Sequence, residues 1–358
     1  MLTPVSIWRT FIAVLVLSLS ITACTEQTDP VPATSSPASV LAPTVAPSDK
    51  PSIPLTLPPG FDVQGHRGAR GLRPEETLPA FEIALDLGVT TLELDLHFSA
   101  DDQLVIWHDP AIDPAKCRID PASSLRVPDP DDSRTSPADL ALRRLTAAQL
   151  ATLICDRNPD PARFPDQVAD PTALAGANFS IVTLAQLFDF VDAYAADSSK
   201  NTAQRDNASQ VRFNIETKRR EDQPQTIDDG FDGVNPGPFE LAILAQIQER
   251  GLADRVTIQS FDLRSLWAVH RVAPEITLVA LTSQAPRAGD LQAWAEAGAS
   301  VFSPNASILT PALLTQAQDL GLLVIPWTVN EPDAMRALID MGVDGLISDR
   351  PDLLLTLK

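Results

Sequence analysis

The sequence predicts an α/β fold, a (β/α)8 barrel with a small insertion after the second strand. Three observations predict it. From Gly60 onward, short Leu-rich or β-branched runs alternate with amphipathic stretches. Eight such runs fall within about 300 residues, the number a closed parallel barrel requires. Several helical stretches stop at a glycine (Gly88, Gly251, Gly298 and Gly342), the residue that most easily takes the left-handed turn ending a helix. A doubly wound open sheet shares this alternation, and periodicity alone does not separate the two. No Gly-x-Gly-x-x-Gly follows the first strand, which removes support for a dinucleotide-binding fold.

Taken in order, strands are expected at 62–66, 91–97, 211–218, 256–261, 276–281, 300–303, 322–329 and 345–348. Helical spacing lies between them, at 78–87, 239–249, 263–272, 291–297, 311–319 and 333–341. Two stretches interrupt the alternation. Residues 111–178 are rich in Pro and Asp, with one helix expected near 145–154, and are too long for a barrel loop. They read as an insertion. In an oxidising compartment its Cys117 and Cys155 could pair and close it, worth about 3–4 kcal/mol by loop entropy; otherwise they remain free thiols. Residues 219–238 follow the third strand and should overhang its C-terminal end.

The N-terminal part reads differently. Residues 1–23 resemble a secretion signal, with Arg9 ahead of an apolar run at 11–19 that is too short to remain as a membrane span. Ile21-Thr22-Ala23-Cys24 resembles a bacterial lipobox, which makes Cys24 the expected lipidation site; ordinary cleavage beside an incidental Cys is the alternative. Residues 24–60 then form a Pro/Ser/Thr-rich tether, with nine prolines between Thr28 and Gly60. So few large apolar side chains cannot offset the entropy of ordering the segment. The expected domain is 61–358, extracytoplasmic on the cell envelope and held to the membrane by an N-terminal lipid anchor only. Thr25 is not the Asp associated with inner-membrane retention, which favours an outer membrane where the cell has one.

Composition narrows the function. Of 358 residues, 44% are hydrophobic, enough for a packed core, and 27 Lys+Arg against 47 Asp+Glu give a net charge of -20. Nucleic acid is excluded as a partner, because phosphate binding needs clustered cations. The second strand, Leu92-Glu93-Leu94-Asp95-Leu96, alternates three leucines with two carboxylates. Period-two geometry sends the leucines outward beneath the helices and Glu93 and Asp95 into the barrel. Glu216 and Lys218 share a face of the third strand. Confined carboxylates repel one another unless a cation or proton compensates them, and three hard oxygen donors suit Ca2+ or Mg2+ better than zinc. The four histidines are His66, His97, His108 and His270. His66 and His108 sit at strand ends beside glycine or acid, where imidazole is suited to general acid–base work. His97 shares parity with Glu93 and Asp95 and could reach the same site; His270 is expected on a helix surface.

Together these residues resemble the glycerophosphodiester phosphodiesterase family over nearly the whole domain, from Gln64 to Leu354. The motifs are His66-Arg67-Gly68, Pro74-Glu75-Glu76-Thr77, Ala80-Phe81, Glu93-Leu94-Asp95, His108-Asp109, Val182-Thr183-Leu184, Ile215-Glu216-Thr217-Lys218, Gln259-Ser260-Phe261, Trp327-Thr328-Val329-Asn330 and Gly342-Val343-Asp344-Gly345. The resemblance implies a TIM barrel with an insertion after the second strand and one divalent cation, Ca2+ or Mg2+, at Glu93, Asp95 and Glu216. It also implies an acid–base pair at His66 and His108, and phosphate contacts from Arg67 and Lys218. Expected products are sn-glycerol 3-phosphate and an alcohol such as choline or ethanolamine. One departure is visible: Glu76 stands where the family usually has Asn. Competing readings are a related phosphodiesterase acting on lysophospholipids or on wall or teichoic polymers, and a non-catalytic binding lipoprotein.

Overall fold

The computed structural model describes residues 57–357. The expected signal segment, Cys24 and nearly all of the tether lie outside the described residues. Eight parallel strands form the barrel: β1 (Asp62–Gly65), β2 (Thr91–Phe98), β3 (Arg212–Thr217), β4 (Val256–Ser260), β5 (Thr277–Thr282), β6 (Ala299–Pro304), β7 (Leu323–Val324) and β8 (Gly345–Ser348), and a ninth strand of the same sheet, Leu104–Ile106, pairs antiparallel with β2. The eight follow one another in the order β7-β6-β5-β4-β3-β2-β1-β8. No regular ladder joins β7 to β8. Backbone bonds bridge the gap instead, from Asp344 N–H to Val324 O (2.9 Å), Val329 N–H to Ile347 O (3.0 Å) and Ile347 N–H to Pro326 O (3.1 Å). The sheet is therefore a nearly closed barrel and not an open doubly wound one.

The run expected at 322–329 keeps only two residues of regular strand. Pro326 has no N–H for a ladder, and Trp327 makes only an isolated bridge to Asn305. Residues 184–210, for which periodicity named no element, form two helices, Leu184–Ala196 and Thr202–Gln210. Each starts with a reciprocal cap, Thr183 with Gln186 and Asn201 with Gln204. The second is almost wholly polar, so apolar spacing could not reveal it.

The core lies between barrel and helices. Leu92, Leu94 and Leu96 are fully buried there with Phe81, Phe188 and Phe213. Their alternation turns Glu93 and Asp95 to the barrel interior, the arrangement that places the site. Residues 111–178 carry a smaller apolar cluster, with Ile112, Leu142, Leu150 and Leu153 packed around bonded Cys117 and Cys155 and against Trp107. The helix expected near 145–154 is a single turn, Ala147–Leu150, capped by Thr146 and followed by the short strand Leu153–Ile154.

Candidate active site

The C-terminal ends of the strands form one mouth, and the polar side chains singled out in the sequence converge there. At the end of β1 the chain turns through Gly65-His66-Arg67-Gly68. Gly65 and Gly68 are obligatory: a Cβ on Gly65 would lie 2.3 Å from Gly68 O, and one on Gly68, at φ +83°, would lie 2.6 Å from Ala80 C. Arg67 itself has a left-handed φ of 52°. The turn aims its N–H at Glu93, whose Oε2 accepts at 2.9 Å.

Glu93, Asp95 and Glu216 each offer an oxygen within 4.8 Å of the others, and all three are buried. Among the described residues this is the acidic group with the spacing of a metal site. Their immediate compensation is two cations. Lys218 Nζ lies 2.8 Å from Glu216 Oε1 and 3.5 Å from Asp95 Oδ1, and Arg67 Nε lies 3.2 Å from Asp95 Oδ2. Burial, followed by repulsion from Asp95, pushes the Glu93 carboxyl well above its ordinary range. Burial and Asp95 likewise push Glu216 up to about 7, although Lys218 acts against them. Asp95 goes the other way, because Lys218 and Arg67 outweigh its burial and hold it well below. Such a group, with more buried carboxylate than its two cations neutralise, fits a divalent cation.

The two histidines flank this group and share a design. His66 Nδ1 lies 2.6 Å from Asp349 Oδ1, and His108 Nδ1 lies 2.7 Å from Asp109 Oδ1. A carboxylate only accepts, so each pair places the ring proton on Nδ1 and leaves Nε2 available for chemistry. His66 Nε2 points toward Glu93, 3.9 Å from Oε2. Burial dominates both rings and lowers their pKa, more than the neighbouring carboxylates raise it.

The sequence did not single out Asp349. It directly follows β8, and its second oxygen accepts from Asn330 Nδ2 at 2.8 Å. A carboxylate immediately after a barrel strand was the available signal. Gln259 was noticed only within a motif; its Nε2 donates to Glu93 Oε1 at 2.7 Å. Nor did residue spacing reveal the ionic chain behind the site. Lys116, from the 111–178 stretch, reaches Asp109 Oδ2 at 2.5 Å and Glu75 Oε1 at 2.8 Å, and Glu75 in turn holds Arg67 and Arg70. Arg67 is thus already engaged by Glu75 and Asp95, as Lys218 is by Glu216 and Asp95; both still line the cavity.

His97 does not join the carboxylates as a third acid–base group. Its Nε2 donates to His108 O at 3.2 Å, and burial drops its pKa to about 4, so it is a neutral support for the loop carrying His108. His270 is half-buried with its ring over Gly298, less exposed than a surface helix residue. Glu76 has a left-handed φ of 61° and accepts from Asp95 N–H at 3.1 Å through Oε1. Burial, with Asp95 and Glu93 adding to it, raises the Glu76 carboxyl well above its usual range.

A cavity of about 400 Å3 brings His66, Arg67, Glu93, His108, Glu216 and Lys218 together. A larger one, about 880 Å3, adjoins it beneath residues 219–226. That segment is anchored by Arg219, which donates to Glu240 Oε1 at 2.7 Å and to both oxygens of Asp229 at 2.9 and 2.7 Å.

Comparison with known proteins agrees with this geometry. The chain is 25% identical over 300 residues to a glycerophosphodiester phosphodiesterase of Caldanaerobacter subterraneus subsp. tengcongensis, covering 82% of this chain and 96% of that one. It is 26% identical over 297 residues to one of Bacillus subtilis, covering 80% and 83%. A crystal structure of a Silicibacter pomeroyi protein assigned to glycerophosphoryl diester phosphodiesterases superposes with a TM-score of 0.64 at 28% identity, over 82% of this chain and 91% of that one. An Oleispira antarctica phosphodiesterase, solved with its product sn-glycerol-3-phosphate, shares the fold with a TM-score of 0.57 at 20% identity, over 83% and 95%. The glycerophosphoryl diester phosphodiesterase family model matches residues 66–353, and with that match the chain belongs to this family of enzymes.

Proposed function

We propose that this chain hydrolyses glycerophosphodiesters to sn-glycerol 3-phosphate and an alcohol. The observation that carries the reading is the convergence, in one cavity, of two carboxylate-tethered histidines on either side of three buried carboxylates. Binding alone requires no such pair. Glu93, Asp95 and Glu216 would hold one divalent cation, Ca2+ or Mg2+, which when bound neutralises phosphate charge and polarises a phosphoryl oxygen.

The protein's own groups supply the rest. Arg67 and Lys218 line the cavity and offer positive charge to the phosphate. His66 acts as the base: its Nδ1–H is held by Asp349, and its Nε2 takes a proton from the nucleophile, either water or the neighbouring glycerol hydroxyl through a cyclic phosphate. His108 acts as the acid and returns a proton to the departing alkoxide. Its position supports this role, because it borders both cavities whereas His66 lines only the smaller one. The approaching phosphate favours the imidazolium and counters the burial that lowers its pKa.

Residues 1–60 we assign to export and anchoring, with Cys24 lipidated and 25–60 as a tether holding the domain outside the cytoplasm, on the cell envelope. The Cys117–Cys155 bond supports an oxidising location. The test of the activity is release of glycerol 3-phosphate from a panel of glycerophosphodiesters by the purified protein, with EDTA and after adding back Ca2+ or Mg2+. Metal-insensitive turnover would count against the cation, and no turnover on any diester against the reading itself. Labelling with an alkyne fatty acid, absent in Cys24→Ser, tests the anchor.

A further inference from the structure

We propose that Lys116, supplied by the 111–178 insertion, is a positioning residue for the general acid: it fixes Asp109 and, through Asp109, the ring of His108. The proposal rests on the diesterase reading above, in which His108 protonates the departing alkoxide.

Each histidine of the site is oriented by a carboxylate, and each carboxylate is held from behind by different means. Asp349 is fully buried, and Asn330 fixes its second oxygen at 2.8 Å. Asp109 instead stands at the mouth with 34% of its side chain exposed. Its Oδ1 faces His108 Nδ1 at 2.7 Å, and its Oδ2 accepts from Lys116 Nζ at 2.5 Å. Among the described residues no other group donates to that carboxylate. His97 fixes only the backbone of this loop, through His108 O. Without Lys116, water competes for Asp109, and a carboxylate that turns to solvent no longer sets the orientation and tautomer of the ring.

Lys116 is itself held in place. Its side chain is buried, with Nζ 5.5 Å from the centroid of the Trp107 ring. Its N–H donates to Asp113 O at 2.9 Å, its carbonyl accepts from Arg157 N–H at 3.1 Å, and the next residue, Cys117, is bonded to Cys155. An ammonium fixed between two carboxylates makes charge-assisted bonds, the strong kind.

The loss of Lys116 would be felt on the acid side. Its other partner, Glu75, keeps Arg67 at 3.2 Å and Arg70 at 2.5 Å, so the phosphate-facing guanidinium stays anchored. Asp109 has no such reserve.

The test compares diesters that need the acid with one that does not. Glycerophosphocholine and glycerophosphoglycerol expel strongly basic alkoxides, whereas the 4-nitrophenyl diester of glycerol expels a phenolate that leaves without a proton. Lys116→Met should lower kcat on the two alkyl diesters by about 10- to 100-fold and leave the nitrophenyl diester within about threefold of wild type. Lys116→Arg, which keeps the charge and the donors, should recover part of the loss. Lys116→Gln removes the charge more gently and stands in if Lys116→Met does not fold. Equal losses on both kinds of diester overturn the inference and leave the diesterase reading standing, because a phosphate ligand or a merely structural residue would be missed by every substrate alike. Undiminished turnover of the alkyl diesters by a folded charge-removing variant overturns it too. If the wild type cleaves none of the three, the diesterase reading fails and the inference falls with it.

Discussion

Asp349→Asn separates a positioning carboxylate from a structural one. In the wild type Asp349 Oδ1 accepts from His66 Nδ1 at 2.6 Å, Oδ2 accepts from Asn330 Nδ2 at 2.8 Å, and the Asp349 N–H donates to Asn330 Oδ1 at 2.9 Å. The isosteric Asn cannot satisfy both neighbours. If its amide nitrogen replaces Oδ2, two donors face each other at Asn330. If the amide flips, a donor faces His66 Nδ1 and drives the ring proton to Nε2, the wrong nitrogen for a base. In either orientation a hydrogen bond to a charged group is lost, worth about 1.5–3 kcal/mol, or about 10- to 150-fold in kcat/KM. The pH profile carries the diagnosis. Asp349 raises the His66 pKa against the larger effect of burial, so its neutralisation lowers that pKa further. The base must be neutral, so the acid limb of kcat/KM should move to lower pH even as the plateau falls. Stopped assays of glycerol 3-phosphate release across the pH range, on protein of wild-type circular dichroism, read both effects. A plateau within about twofold of wild type with the acid limb unmoved would refute the role given to Asp349.

Removing either ring should be more severe: His66→Ala and His108→Ala each lower kcat by about 100-fold or more, and wild-type-like turnover in either sinks its assignment. Because Glu216 is pushed up to about 7 and a ligand carboxylate must be ionised, cation affinity measured by calorimetry should weaken as pH falls through 7. Glu93→Ala should abolish that binding, and an unchanged isotherm contradicts the site. Glu76 is raised by burial, so its neutral form contributes stability below its unfolded pKa that is lost as pH rises toward the folded value. Glu76→Gln, in EDTA, should therefore raise Tm at pH 8 and leave it unchanged at pH 4; the reverse order contradicts a protonated Glu76. Replacing Cys117 and Cys155 together by Ser releases a loop with a sequence separation of 38. The expected loss is about 3–4 kcal/mol, seen as faster proteolysis within 111–178; a cleavage rate equal to wild type argues against the bond.

What the sequence determined by itself was whatever depends on period and order. Leucine–carboxylate alternation in residues 92–96 puts Glu93 and Asp95 on one face and the leucines on the other in any sheet, because the pleat has a period of two. Caps such as Thr77 and Gly88 bound the helix Leu78–Leu87 at its expected ends, since their hydrogen bonds are local. Polar segments escaped that reading: Thr202–Gln210 is held by caps and tertiary contacts, with no apolar stripe to announce it. Tertiary structure alone decided which distant residues meet. His66 and Asp349 are 283 positions apart and touch because β1 lies beside β8 in the sheet. Tertiary packing likewise assigned His97 to support and not to chemistry, joined Lys116 to the ionic chain behind the site, and shaped the second cavity beside His108. Contacts of this kind depend on strand order in space, and local periodicity does not encode it.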